Sequence, residues 1–133
     1  MNKMTEDIVI SHLMKHLTKQ GWKIDSHCLG RTRGVDICAS KGSQQLIIEA
    51  KGAKSGLDNP TRLKFDSGQI KTHFGKALTK ALTEKYKNPN AIVAIAHPFD
   101  DDIKKAISHL IYYLSQLNIK HFWVHENGSV TET

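Results

Sequence analysis

Two acidic residues and one lysine occupy positions where a buried strand would normally carry apolar side chains. Asp36 lies within Val-Asp-Ile-Cys-Ala, Glu49 lies near the end of Leu-Ile-Ile-Glu-Ala, and Lys51 follows two residues later. Carboxylate oxygens are the ligands that Mg²⁺ prefers, and Mg²⁺ commonly binds through one or two carboxylates while keeping several waters. If these side chains meet in the fold, the chemistry that they suggest is metal binding with a lysine beside the cation.

The stretch 34–52 predicts a hairpin that would bring the two acids together. If Gly42 and Ser43 form its two-residue turn, Asp36 lies directly opposite Glu49, and glycine at the first turn position suits a type II′ turn. Side chains alternate along a strand, so Lys51 shares the face of the two acids. The opposite face, directed into the core, would carry Val35, Ile37, Ile48 and Ala50.

Opposed carboxylates need a compensating charge. The Cβ atoms of directly opposed residues are about 4.5–5.5 Å apart, and like charges placed there destabilise a sheet. A divalent cation would offset the repulsion, and Lys51 could offset part of it or hold a water beside the metal. The alternative is a solvated hairpin face with ordinary surface charges. The apolar residues on both sides of Asp36 and Glu49 favour a site.

The elements that would position these residues follow from hydrophobic periodicity. The order is helix, three strands, helix, strand, helix, strand, which predicts an α/β fold with a central mixed sheet of about five strands and helices on both faces. We expect one domain over residues 1–133. The predicted helices are 5–20, capped by Thr5, 67–87, capped by Ser67, and about 100–117; the predicted strands are 22–29, 34–40, 44–51, 91–98 and 120–126.

The motif in its element order resembles the PD-(D/E)XK nuclease superfamily. The matching residues are Gly-Val-Asp36, the strand ending Ile-Ile-Glu49-Ala-Lys51, and a following helix that opens with Gly-Gln69. This superfamily has the restriction-endonuclease-like three-layer sandwich and includes Holliday-junction resolvases and repair and defence nucleases. Val35 stands where the family's leading proline would be.

The resemblance implies roles for individual residues. Asp36, Glu49 and the backbone carbonyl of Ala50 would bind Mg²⁺, for which Mn²⁺ could substitute, and Lys51 would position or activate the attacking water. Gln69 would be an accessory to catalysis. Many members add a glutamate from the first helix, and Glu6 is the best match. Asp7 is its rival, and Glu6 could instead serve only the helix N-terminus electrostatically.

Basic residues surround the predicted site in the sequence. Lys and Arg outnumber Asp and Glu by 19 to 13, giving a net charge of +6, which favours a polyanionic partner. A solvated lysine-rich surface is the alternative. The candidate nucleic-acid contacts are Arg31, Arg33, Lys54, Arg62, Lys64, His73, Lys76 and Lys80.

The resemblance implies a Mg²⁺-dependent nuclease acting on DNA, with RNA not excluded, and the positive net charge agrees with this expectation. The alternative functions are a nucleic-acid-binding module of the same fold that does not cleave, and an interaction subunit. The family analogy suggests a homodimer. No apolar run is long enough for a membrane span and the N-terminus lacks a secretory cleavage site, so we expect a cytoplasmic protein with no membrane partner. His97, His121 and His125 form no recognisable set.

Overall fold

The structure, a computed structural model, describes residues 3–27, 34–56 and 64–133. Its sheet is mixed and has six strands in sequential order, in which β3, β4 and β5 are parallel and the other neighbours are antiparallel. The elements are α1 (Glu6–Lys19), β1 (Lys23–His27), β2 (Ile37–Lys41), β3 (Gln44–Ala50), α2 (Ser67–Lys87), β4 (Ile92–Pro98), α3 (Asp101–Ile111), a 3₁₀ turn (Leu114–Leu117), β5 (Ile119–Val124) and β6 (Val130–Glu132).

The predicted hairpin register is confirmed. Lys41 pairs with Gln44 and Ile37 pairs with Ile48, so the next pair in this register sets Asp36 opposite Glu49. Gly42 has a φ of 61°, while Ser43 is not among the described non-glycine residues with positive φ. A positive φ at the first turn position alone is the type II′ geometry.

Helices cover both faces of the sheet, as predicted. On one face α1 packs through Ile10 and Leu13 against a cluster that includes Ile37, Ile48 and Ala50. On the other face α2 and α3 cover a second cluster that includes Ile47 of β3 and Ile95 of β4. The prediction that Val35 shares the core face of Ile37 was wrong, because Val35 packs against this second cluster. None of the described helices combines the length and the apolar character that a membrane crossing requires.

The element boundaries differ from expectation in several places, among them β2, which begins at Ile37 and not at residue 34, and β5, which ends at Val124 and not at residue 126. The sheet gains a sixth strand, β6, whose Phe122–Glu132 pairing with β5 places it at an edge; three residues with only one apolar side chain give too weak a signal to predict. The last helix ends at Ile111 and is followed by the 3₁₀ turn. The N-cap of α2 is Asp66 and not Ser67.

Close packing at Gly52 positions the start of α1 against the end of β3. A Cβ at Gly52 would lie 2.5 Å from the backbone nitrogen of Glu6 and 2.8 Å from the carbonyl carbon of Thr5. The adjacent N–H of Ala53 donates to the carbonyl of Met4 over 2.8 Å. Because both contacts involve backbone, a side chain at Gly52 would displace the first turn of α1.

We therefore expect Gly52→Ala to lower the free energy of unfolding by about 1–3 kcal/mol, since overpacking forces backbone shifts of this order. The measurement is urea unfolding followed by circular dichroism. Gly56→Ala is the matched control, because a Cβ there meets nothing within 4 Å. Equal stability of the two variants would contradict the packing account.

Candidate metal centre

One cavity brings together most of the residues expected to carry the chemistry. It has a volume of about 480 Å³ and lies where β2, β3, α1 and α2 meet. Four of the predicted catalytic residues and two of the predicted basic residues line it, so the structure gathers side chains that are far apart in sequence. The lining residues are Glu6, Gly34, Asp36, Glu49, Lys51, Lys76 and Lys80.

The two opposed carboxylates are buried. Asp36 is 8% exposed and Glu49 is 2% exposed, so they do not form a solvated hairpin face. Oδ2 of Asp36 accepts a 2.7 Å hydrogen bond from the backbone N–H of Ala50, which fixes one carboxylate against the neighbouring strand. Within the described residues, Oε1 of Glu49 is buried and has no hydrogen-bond partner. Buried carboxylate oxygens normally have partners, so this oxygen is suited to an additional ligand.

The carboxylates also perturb the protonation of the site. Burial, followed by the negative charge of Asp36, raises the pKa of Glu49 to about 8, although Lys80 and Lys51 oppose the rise. Burial and then Asp36 likewise raise the pKa of Glu6 to about 7, with Lys51 opposing. At neutral pH the cavity thus holds protons that a cation would displace.

The donor set fits a cation bound by few protein ligands. No group of three or more His, Cys, Asp or Glu side chains in the described ranges is arranged so that it could hold a metal ion. Glu6 therefore lies beside the carboxylate pair without completing a three-acid cage. Mg²⁺ is commonly bound through one or two carboxylates with waters completing its shell, and Asp36 with Glu49 provides that number.

Lys51 and both candidate lysines of α2, Lys76 and Lys80, line this cavity. The backbone N–H of Lys51 donates to the carbonyl of Ala96 over 2.9 Å, which continues the pairing of β3 with β4. Nζ of Lys80 lies 3.6 Å from Oε2 of Glu49 and donates to the carbonyl of Gly34 over 2.6 Å. Lys80 therefore contacts a carboxyl group of the site, whereas the sequence predicted it only as a nucleic-acid contact.

Gln69 lies outside the residues that line the cavity. Its side-chain oxygen accepts from the N–H of Asp66 over 2.9 Å, and its own N–H donates to Oδ1 of Asp66 over 2.8 Å. These two bonds form the capping box at the start of α2. The structure thus gives the Gln69 side chain a capping role, and its role as a catalytic accessory stays a prediction.

The other predicted basic contacts are dispersed. Lys64 lies 3.9 Å from Asp102, outside the carboxylate cavity. The ring of His73 packs edge-on against Phe65 with 4.5 Å between centroids. Lys54 is half-buried in the segment after Gly52. Arg31, Arg33 and Arg62 lie outside the described residues.

His97 and His121 form a buried pair, so the expectation that the histidines form no set was wrong. Nδ1 of His97 lies 3.0 Å from Nε2 of His121, and Nδ1 of His121 lies 2.8 Å from Oγ1 of Thr133. Burial lowers the pKa of His97 well below its usual value and that of His121 to about 3. The pair exists because β4 and β5 are parallel neighbours, which residue spacing alone does not indicate.

The fold is similar to two solved structures. An XisH family protein from Nostoc punctiforme superposes with a TM-score of 0.60 at 18% identity, covering 94% of this chain and 97% of that chain. An fdxN element excision controlling factor from Anabaena variabilis superposes with a TM-score of 0.58 at 17% identity, covering 94% and 96%. No family model and no curated protein matches the sequence. At these identities the likeness concerns the fold, and it confirms the predicted α/β class.

Glu49→Gln gives a test of the buried charge. Since the folded-state pKa of Glu49 is raised to about 8 from 4.5, ionisation in the folded state is unfavourable, and wild-type stability is lost as pH rises from about 4.5 to 8. In EDTA we expect Glu49→Gln to match wild type near pH 5 and to exceed it by about 1–3 kcal/mol near pH 9. Thermal unfolding across this pH range measures the difference.

Glu126→Gln, at an exposed position, is the control and should follow the wild-type pH profile. A stability difference between Glu49→Gln and wild type that does not change with pH, or that favours wild type at high pH, would contradict the site's electrostatics.

Proposed function

We propose that this protein is a metal-dependent nuclease of the PD-(D/E)XK type that hydrolyses phosphodiester bonds in DNA. The observation that carries the proposal is the buried pairing of Asp36 with Glu49, beside Lys51, with one Glu49 oxygen lacking a partner in the described residues. A structural role alone gives no reason to bury two carboxyl groups opposite each other, where they cannot both ionise without cost.

Asp36 and Glu49, with the carbonyl of Ala50, would hold Mg²⁺, and Mn²⁺ would suit the same oxygen ligands. Such a cation supplies Lewis acidity, a more acidic bound water and orientation of the phosphate. Lys51 donates N–H groups that orient the attacking water and stabilise negative charge on the phosphate. Glu6, whose pKa is raised to about 7, can accept or release a proton near neutral pH.

Two observations support DNA as the substrate. The net charge of +6 favours a polyanion. One of the structures with the same fold is named as a factor that controls excision of the fdxN element, and excision of an element is an event on DNA. RNA is the alternative substrate. The proposal extends to a single catalytic domain that acts in the cytoplasm as a homodimer, which would place two sites on two strands.

A nucleic-acid-binding module that does not cleave is the second candidate. It is favoured by the ion pair between Lys80 and Glu49, because an internal counter-ion at a carboxylate is also expected in a site that no longer binds metal. The two candidates agree on nucleic-acid binding and differ on hydrolysis, so one assay with matched variants separates them.

We expect purified protein to cleave labelled DNA with Mg²⁺ or Mn²⁺ and not with EDTA. Asp36→Asn and Lys51→Ala should each lower the cleavage rate at least about 100-fold, as loss of a positioned catalytic group does, while DNA retardation persists. Single-stranded, duplex and branched DNA and RNA of the same sequence form the substrate panel, with products resolved on denaturing gels.

Lys15→Ala, at an exposed position of α1, is the control variant. Intact substrates that are nevertheless retarded by wild type and by Lys51→Ala would favour the binding module. Protein that neither cuts nor retards any of the substrates would refute the nucleic-acid proposal.

A further inference from the structure

Lys80 occupies the carboxylate site that a cation would use. Its ammonium lies 3.6 Å from Oε2 of Glu49, whose side chain is 2% exposed, while the Lys80 side chain is 44% exposed. Lys76 lines the same cavity, yet it makes no ion pair with any carboxylate in the described ranges. The two lysines therefore differ in their relation to the acids, although they lie one helical turn apart.

The Lys80 ammonium alone cannot provide partners for all of the carboxyl oxygens in this site. It approaches one oxygen of Glu49, and the other oxygen has no partner in the described residues. Asp36, directly opposite, brings a second carboxylate. A divalent cation would satisfy more of these oxygens than a single positive charge does. Lys80 and a divalent cation therefore compete for the carboxyl group of Glu49.

The Lys80 side chain can leave without repacking the core. It emerges from an exposed position of α2 on a flexible four-carbon stem, and its second contact is a single backbone carbonyl, that of Gly34. Lys76 and Lys80 are shared between the carboxylate cavity and a shallow groove of about 700 Å³ along α2. If the Lys80 ammonium leaves Glu49, it would therefore lie where the carboxylate cavity meets this groove.

Lysines supply the positive charge that this groove offers to a phosphate, and its lining also includes the hydroxyl of Thr72 and the acidic Glu84. Thr79 and Thr83 line it, but each hydroxyl donates its only proton to a backbone carbonyl four residues earlier, over 2.9 Å in both cases. These threonines can accept hydrogen bonds but cannot donate to a phosphate. The cationic donors are Lys76, Lys87 and, once released, Lys80.

We propose that Lys80 is an exchangeable partner that occupies the Glu49 carboxyl group in the metal-free protein and moves to a substrate phosphate when a divalent cation binds. This inference rests on the proposed function, because it requires a cation at Asp36 and Glu49. Lys80 is then a positioning residue that couples the two binding events. Linkage requires the coupling to be reciprocal, so cation and nucleic acid each strengthen the binding of the other.

The first test is titration calorimetry with Mn²⁺ and no nucleic acid. Removing the competitor should tighten Mn²⁺ binding about two- to fivefold in Lys80→Met and Lys80→Gln, the upper range of an ion pair with an exposed partner. Lys80→Arg, which keeps the charge, should bind near the wild-type value, and Lys76→Met should change less than Lys80→Met. Equal or weaker Mn²⁺ binding in both Lys80→Met and Lys80→Gln would overturn the inference.

The second test measures the anisotropy of a labelled DNA duplex with Ca²⁺ or with EDTA, on samples whose duplex is shown to stay intact on gels. Ca²⁺ should tighten duplex binding in wild type, and this gain should shrink in Lys80→Met. Lys76→Met should lower affinity under both conditions and keep the wild-type gain. An unchanged gain in Lys80→Met would overturn the coupling.

Asp36→Asn separates failure of this inference from failure of the proposed function. Absence of Mn²⁺ binding in wild type, or binding that Asp36→Asn leaves intact, would refute the metal site itself. Binding that Asp36→Asn abolishes but that neither neutral Lys80 variant tightens would refute only the role of Lys80.

Discussion

The constraint on which the structure depends is the placement of two buried carboxyl groups opposite each other at the open end of the β2–β3 hairpin, where Asp36 directly precedes β2. A two-residue turn fixes the register, and the register leaves Asp36 facing Glu49 with exposures of only 8% and 2%. Burial and mutual repulsion make the doubly ionised pair unfavourable, as the pKa of about 8 at Glu49 shows. Three features reduce this repulsion: a backbone N–H donates to Asp36, the Lys80 ammonium lies near Glu49, and the raised pKa of Glu49 favours its protonated form.

Each layer of the sandwich supplies residues to the site. The sheet supplies both carboxylates, the Ala50 N–H that holds Asp36, and Lys51. The α1 layer contributes Glu6, whose position depends on the close contact with Gly52. The α2 layer contributes Lys80, the one described ion-pair partner of Glu49. The site is therefore assembled from three layers, and its geometry depends on how both helices pack on the sheet.

The sequence predicted what local rules determine. The hairpin register followed from turn chemistry and the period of two, and the bounds of α2 followed from hydrophobic periodicity. Contacts across layers could not be predicted: the pairing of Lys80 with Glu49 depends on how α2 crosses the sheet, and that of His97 with His121 on which strands are parallel neighbours. Gln69 matched a family position, yet its side chain caps α2, because Asp66 precedes it by the three residues that a capping box needs.

The central claim is that Asp36 and Glu49 form a divalent-cation site, and anomalous diffraction from crystals grown with Mn²⁺ tests it most directly. The account predicts one strong peak within about 2.0–2.6 Å of a carboxylate oxygen from each residue, the range of oxygen ligands of hard cations. It also predicts the Lys80 ammonium displaced from Glu49. A peak elsewhere, or fully soaked crystals with no peak between the two carboxylates, would contradict it.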